Sequence, residues 1–253
     1  PTSRSSALEN AAAWTSFIAV LHLGTLLAVV LYFLKDLGIM AGSLLADART
    51  HGHGKGLTGY SKESRLALLI LAGTIPVGVA GLLFSKVLHG MFTKSTIVII
   101  CSLVALAVLL WIAERLARHQ RGIDELRLRD AVAVGCAQAL ALIPGSSRSG
   151  TTMTAALFLG FTRTAAARFS FLLSIPAILA SGLHELMGID PGVFAFGTVN
   201  LLAGTVVAAI AGYAAIAWLL KFLTAHTTMV FVWYRIGLGI ALAHHLLSGL
   251  IEP

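Results

Sequence analysis

Six apolar runs, at about 14–34, 64–84, 95–114, 163–187, 194–220 and 229–250, dictate what this chain can fold into. Each holds about 20 residues or more, the length an α-helix needs to cross a hydrocarbon core about 30 Å thick. Inside a bilayer the backbone must satisfy its own hydrogen bonds, so only helices and closed barrels span it. A barrel would show short alternating segments rather than continuous runs. The expected fold is therefore an all-α polytopic membrane protein. Charged residues make up 11% of the 253 positions, against about 25% in a soluble domain. The formal net charge of +7 does not indicate a nucleic-acid partner, because the basic residues fall between the apolar runs. Cys101 and Cys136 lie within apolar segments and read as buried thiols, with no disulfide framework.

A seventh segment, about 128–160, is interrupted by Ile143-Pro144-Gly145-Ser146-Ser147-Arg148-Ser149-Gly150-Thr151-Thr152. Proline and glycine break the helix there, and each half is too short to span. The segment is expected to be a re-entrant helical hairpin, helix–break–helix. Charge sets the orientation. Loop 35–65 carries Lys35, Arg49, Lys55, Lys62 and Arg65, and loop 115–130 carries Arg115, Arg118, Arg121, Arg127 and Arg129. Loop 85–94 has only Lys86 and Lys94, and loop 188–193 has neither Lys nor Arg. The positive-inside rule puts the first two loops in the cytoplasm and the last two outside.

An internal likeness supports the hairpin. The stretch Leu71–Gly81, opening Leu71-Ala72-Gly73-Thr74, resembles Leu202–Gly212, opening Leu202-Ala203-Gly204-Thr205, though Ala/Gly/Val-rich helices also produce such matches by chance. Real copies would be inverted-topology repeats, about 11–115 and 128–250, within one integral membrane domain 1–253. Such repeats place a binding site near the midplane, at broken helices. The first repeat then lacks a hairpin of its own, and an N-terminal hairpin is expected to be absent from this sequence.

The break carries the chemistry. An arginine at membrane depth costs roughly 3 kcal/mol on insertion scales and persists where it faces a cavity or an anion. Gly145 and Gly150 let backbone N–H groups approach a ligand. Ser146, Ser147, Ser149, Thr151 and Thr152 add hydroxyls, and the second half-helix offers its positive end. Arg148 adds a planar fork suited to phosphate oxygens. The competing reading is that Ser, Gly and Pro merely cap two half-helices, which leaves Arg148 unexplained. No strand precedes the motif as a nucleophile elbow requires, and there is no Gly-Lys-Ser/Thr of a P-loop. Position 154 is Thr, where a soluble-type acid phosphatase signature would need His.

Gly135-Cys136-Ala137-Gln138-Ala139-Leu140-Ala141-Leu142-Ile143 running into Pro144–Gly150, then Phe169-Ser170-Phe171-Leu172-Leu173-Ser174-Ile175-Pro176, resembles the BacA/UppP family of undecaprenyl-diphosphate phosphatases. His22–Val30 and the Tyr234-Arg235 pair match as well, so the resemblance runs from Phe17 to about His245. It implies an enzyme of the bacterial plasma (inner) membrane, multi-pass, whose active site faces the outer side. Such an enzyme dephosphorylates undecaprenyl diphosphate and so recycles the lipid carrier of cell-wall synthesis. The implied cofactor is a divalent cation, Mg or Ca; the implied partners are the lipid diphosphate and membrane lipid. Carried over, Arg148 binds the diphosphate, Ser147 is nucleophile or phosphate ligand, and Thr152 lines the site with Ser146 and Ser149. Two departures stand out. The family's paired glutamates and Pro-x-Ser-Ser-x-Gly-His run, the expected metal or base residues, are missing. His22 stands where the family usually has Gln, either binding phosphate or packing against a helix. A lipid-phosphate transporter or flippase of similar inverted-repeat architecture is the alternative reading, and a catalytically dead binding subunit a third.

Other residues are read more plainly. His51-Gly52-His53-Gly54-Lys55-Gly56 reads as a cytoplasmic loop. Arg163 and Arg168 are expected to anchor a helix at the headgroups, and His184 and Glu185 to face solvent. Glu114 is expected to pair with Arg118 at i+4. Arg235 lies within a span and needs an ion-pair partner or a ligand. Gly204, Ala208, Ala209 and Gly212 permit close helix packing, a homodimer being one outcome they allow.

Overall fold

A computed structural model describes residues 3–50, 59–83, 95–187, 193 and 197–251. The described residues form nine α-helices and no β-strand: α1 Ser3–Tyr32, α2 Leu34–Thr50, α3 Lys62–Leu83, α4 Thr96–Leu116, α5 Leu128–Leu140, α6 Arg148–Phe158, α7 Arg163–Met187, α8 Thr198–Ala225 and α9 Met229–Leu247. Five of these, α3, α4, α7, α8 and α9, are long and apolar enough to cross a membrane, and α1 with α2 makes a sixth if counted as one broken span. The chain is thus an all-α polytopic membrane protein, as its apolar runs require. Rows of exposed apolar side chains, such as Leu71, Ile75, Val79 and Leu82 on α3 and Val199, Leu202, Val206 and Ile210 on α8, follow helical spacing and suit a lipid-facing surface.

Two expectations fail here. The stretch 35–65, read as a loop, is helical over Leu34–Thr50. Its charges sit at the helix ends and leave the middle apolar; of them Asp36 in the first turn and Arg49 in the last complement the helix dipole. The Asp47 carboxylate accepts from Ser61 N–H at 2.8 Å and Ser61 Oγ at 2.7 Å, which ties α2 to the start of α3. The His51–Gly56 run lies outside the described residues. Cys101 and Cys136 are exposed, not buried: in a bilayer an apolar neighbourhood in sequence marks lipid contact as readily as a core.

The helices divide into two compact units, Pro1–Ile39 with Ile175–Leu219 and Met40–Ser174 with Leu220–Pro253. In the smaller unit α1 packs against α8 through small residues. A Cβ on Gly204 would lie 2.7 Å from Leu21 Cδ2, and one on Gly212 would lie 3.0 Å from Ala28 Cβ. One on Gly24 would meet the Thr205 carbonyl and lie 3.1 Å from Ala208 Cβ. The small-residue face of α8 is thus used within the chain, without side chains to hold the backbones apart.

In the larger unit α5 and α6 pack on each other, α5 also on α3, and α6 also on α4, which in turn packs on α9. Gly135 and Gly73 mark the crossing of α5 and α3: a Cβ on Gly135 would run into the Gly73 carbonyl and lie 3.1 Å from its Cα. Backbone cannot yield as a side chain can. Gly135→Ala is therefore expected to cost about 1–3 kcal/mol by overpacking and to lower the apparent Tm in detergent by several degrees. Gly78→Ala, with nothing within 4 Å of its new methyl, is the control that should not.

Candidate functional site

The hairpin is built by its own sequence. α5 has 13 residues and α6 has 11, lengths of about 20 Å and 17 Å at 1.5 Å per residue, each short of a bilayer core. Between them Pro144 supplies no N–H, and Gly145 takes a left-handed conformation with φ +84°, open to glycine at little cost. Glycine is also required for space, because a Cβ there would strike Ser102 Oγ and the Ile99 carbonyl of α4. Ser102 Oγ donates to the Pro144 carbonyl at 2.5 Å, so α4 holds the break in place.

α6 then starts at Arg148, with Ser147 as its N-cap: the Ser147 hydroxyl accepts from Gly150 N–H at 3.2 Å and lies 3.3 Å from Ser149 Oγ. Ser146 N–H closes a turn onto the Ile143 carbonyl at 3.1 Å. The threonines are spent differently. Thr151 Oγ1 donates to the Arg148 carbonyl at 2.9 Å and Thr154 Oγ1 to the Gly150 carbonyl at 2.7 Å. Thr152 is 1% exposed. Its hydroxyl donates to the Arg148 carbonyl at 2.9 Å and meets Ser170 Oγ of α7 at 2.6 Å. Thr152 therefore sits behind the break as a post between α6 and α7. Thr152→Val would strand the buried Ser170 hydroxyl; the expected loss is about 1–3 kcal/mol of stability, read as a lower apparent Tm, with Thr152→Ser restoring it.

Arg148 is exposed at the first residue of α6. Arg235 comes to the same helix end from α9. A Cβ on Gly150 would lie 2.6 Å from Arg235 Nη2 and 3.2 Å from its Cζ, so the absence of a side chain at Gly150 is what admits the guanidinium. Arg235 Nη1 is buried and has no hydrogen-bond partner among the described residues. The structure thus brings Gly145, Ser146, Ser147, Arg148, Ser149 and Gly150 together with Arg235. His22 belongs to the chain's smaller unit and is exposed on α1. Tyr234 is exposed.

The other ionic expectations change. Glu114 pairs with Arg163, Nε at 2.7 Å and Nη2 at 2.5 Å, and accepts from Thr228 Oγ1 at 2.8 Å. The i+4 contact with Arg118 loses because a buried carboxylate is better served by a guanidinium fork plus a hydroxyl. Arg163 is accordingly an ion-pair residue and not a free headgroup anchor, whereas Arg168 is exposed. The side chains of His184 and Glu185 lie outside the described residues.

Among the buried polar residues given no role by the sequence reading, two lie close to the break. Ser170 is one; its place in the Phe169–Pro176 run was the available signal. Gln138 is the other: it is 1% exposed and neither its Oε1 nor its Nε2 finds a partner among the described residues. It lies one turn before the break, where an amide in a half-helix of apolar residues was the available signal. Among the described residues no three His, Cys, Asp or Glu side chains converge.

The family model described as bacitracin resistance protein BacA matches residues 4–241. A protein of Syntrophobacter fumaroxidans named undecaprenyl-diphosphatase is 45% identical over 234 residues, covering 92% of this chain and 83% of its own. Those so named from Gloeobacter violaceus and Myxococcus xanthus are 47% and 45% identical, each over 94% of this chain and over 82% and 78% of their own lengths.

Proposed function

Because the chain belongs to the bacitracin resistance protein BacA family, we propose that it hydrolyses undecaprenyl diphosphate to undecaprenyl phosphate at the break between α5 and α6. It is a membrane hydrolase of peptidoglycan synthesis whose product is the lipid carrier, and its family ties it to bacitracin resistance. The relatives' activity favours hydrolysis over the transporter alternative.

One observation carries the assignment of the site: the Arg235 guanidinium rests on Gly150, over the N-terminal turn of a half-helix, with Nη1 buried and unpaired. A cation placed at the positive end of a helix dipole is unfavourable in the free protein. An anion bound there reverses the sign of that interaction. Arg148 at the helix start and the free N–H groups of the first turn add donors to the same place.

Hydrolysis breaks the bond between the terminal phosphorus and the bridging oxygen. Water adds to the phosphorus, inorganic phosphate leaves, and the lipid keeps one phosphate. Charge builds on the transferring phosphoryl and on the bridging oxygen, and Arg148, Arg235 and the helix end offset it. Ser147 Oγ is engaged with Gly150 N–H and Ser149 Oγ, and among the described residues no carboxylate or imidazole hydrogen-bonds it. We therefore assign the attack to water, with Ser147 shaping the cradle. What supports an outward-facing site is charge: Arg115, Arg118, Arg121, Arg127 and Arg129 crowd the feet of the hairpin, which sets the feet toward the cytoplasm and the tip away from it.

Purified full-length protein in detergent should release inorganic phosphate from undecaprenyl diphosphate and leave undecaprenyl phosphate. Bound but unhydrolysed lipid would return the chain to the transporter or binding-subunit reading.

A further inference from the structure

At the feet of the hairpin, remote in the helix from its tip, the structure forms a cavity of about 370 Å³. Leu116, Arg118, Gln120, Arg121 and Phe158 line it, and the Leu159–Gly160 turn closes it. We propose that this cavity binds the headgroup of an anionic phospholipid, its phosphate held by Arg118 and its acyl chains running along Leu116 and Phe158.

Position comes first. The span formed by α4 ends at Leu116 and the span formed by α7 begins at Arg163, so the cavity lies at the level where hydrocarbon gives way to water. Its charge is one-sided: two guanidiniums line it and no carboxylate does. Arg121 is already committed. It pairs with Asp130, donates to the Leu159 carbonyl at 2.9 Å and the Glu125 carbonyl at 3.0 Å, and lies 4.2 Å over the Phe161 ring. Arg118 has no hydrogen-bond or ion-pair partner among the described residues and is exposed. It is the charge left to a ligand.

The walls are built before any ligand arrives. Gln120 N–H and Arg121 N–H both donate to the Gly160 carbonyl at 3.0 Å, and Thr162 N–H donates to the Arg121 carbonyl at 2.9 Å. Such preorganisation lowers the cost of binding. The apolar flank decides the class of ligand. Leu116 is 70% exposed and Phe158 47%, beside the guanidinium. Inorganic phosphate would use the cation and leave both unused; a lipid phosphodiester uses both halves. A basic pocket between membrane helices at the interface is the kind of site that retains acidic headgroups.

The test is native mass spectrometry of the full-length protein released from detergent micelles doped with phosphatidylglycerol or with phosphatidylcholine of the same chains. The wild type should retain phosphatidylglycerol in preference to phosphatidylcholine. Arg118→Gln should reduce that retention about fivefold, the effect of one basic residue at an acidic surface. Arg49→Gln, at the end of α2, should not. Millimolar inorganic phosphate should leave the retained lipid in place. Equal retention of the two lipids, or equal retention by wild type and Arg118→Gln, would overturn the proposal. Displacement by inorganic phosphate would overturn its lipid half and reassign the cavity to free phosphate.

Discussion

Arg148→Ala is expected to lower kcat/KM for undecaprenyl diphosphate about 10³-fold or more, the scale of an arginine that stabilises phosphoryl transfer. That corresponds to ~4 kcal/mol of transition-state stabilisation. The loss should fall on kcat at least as heavily as on KM, because charge on the transferring group grows on the way to the transition state. Stability should hardly move, since the side chain is exposed at the first residue of α6 and exposed substitutions usually stay within about 0.5 kcal/mol. Arg148→Lys keeps the charge and loses the planar fork, so it should recover part of the rate. Steady-state phosphate release, with apparent Tm in the same detergent, checks both halves.

Arg235 gives the second large effect and a sharper one, because activity and stability should separate. Arg235→Met is expected to reduce kcat/KM about 10²-fold, the cost of one donor at a developing oxyanion. The same change removes a buried, unpartnered Nη1 from a membrane helix, a group whose unmade hydrogen bond costs about 1–3 kcal/mol. The apparent Tm should therefore hold or rise. An arginine kept only for structure would show the opposite pattern, lost stability with activity retained in the folded fraction. Gly150→Ala works through the same contact from the other side. Its methyl would meet Arg235 Nη2 at 2.6 Å, and the flexible end of the arginine is what must move. The variant should fold and lose turnover.

The sequence carried the features that depend on local chemistry. Pro144 and Gly145 announce a broken helix because one lacks a donor and the other tolerates positive φ. The apolar runs announce spans because backbone in lipid has few alternatives. What it hid depends on partners distant along the chain. Glu114 meets Arg163, 49 residues away, while the nearby Arg118 is exposed and makes no pair with it. Gly135 is needed because Gly73 crosses it, and nothing in either helix names the other. Thr152 looks like a ligand on the hydroxyl-rich strip of the motif, yet its hydroxyl is spent on Ser170 and on a carbonyl of its own helix. The α2 helix was hidden by its terminal charges, which read as loop when counted and as helix ends when placed. The cysteines were misread because lipid reverses the soluble-protein link between apolar sequence and burial.

In the proposed function two guanidiniums and one half-helix N-terminus form a single diphosphate site. The affinity of the purified protein for a non-hydrolysable polyprenyl methylenediphosphonate tests it without depending on turnover. Arg148→Ala and Arg235→Met should each raise Kd about tenfold or more, the weight of a charge-assisted hydrogen bond of ~1.5–3 kcal/mol. An analogue that binds both variants as tightly as the wild type would place the diphosphate elsewhere in the protein.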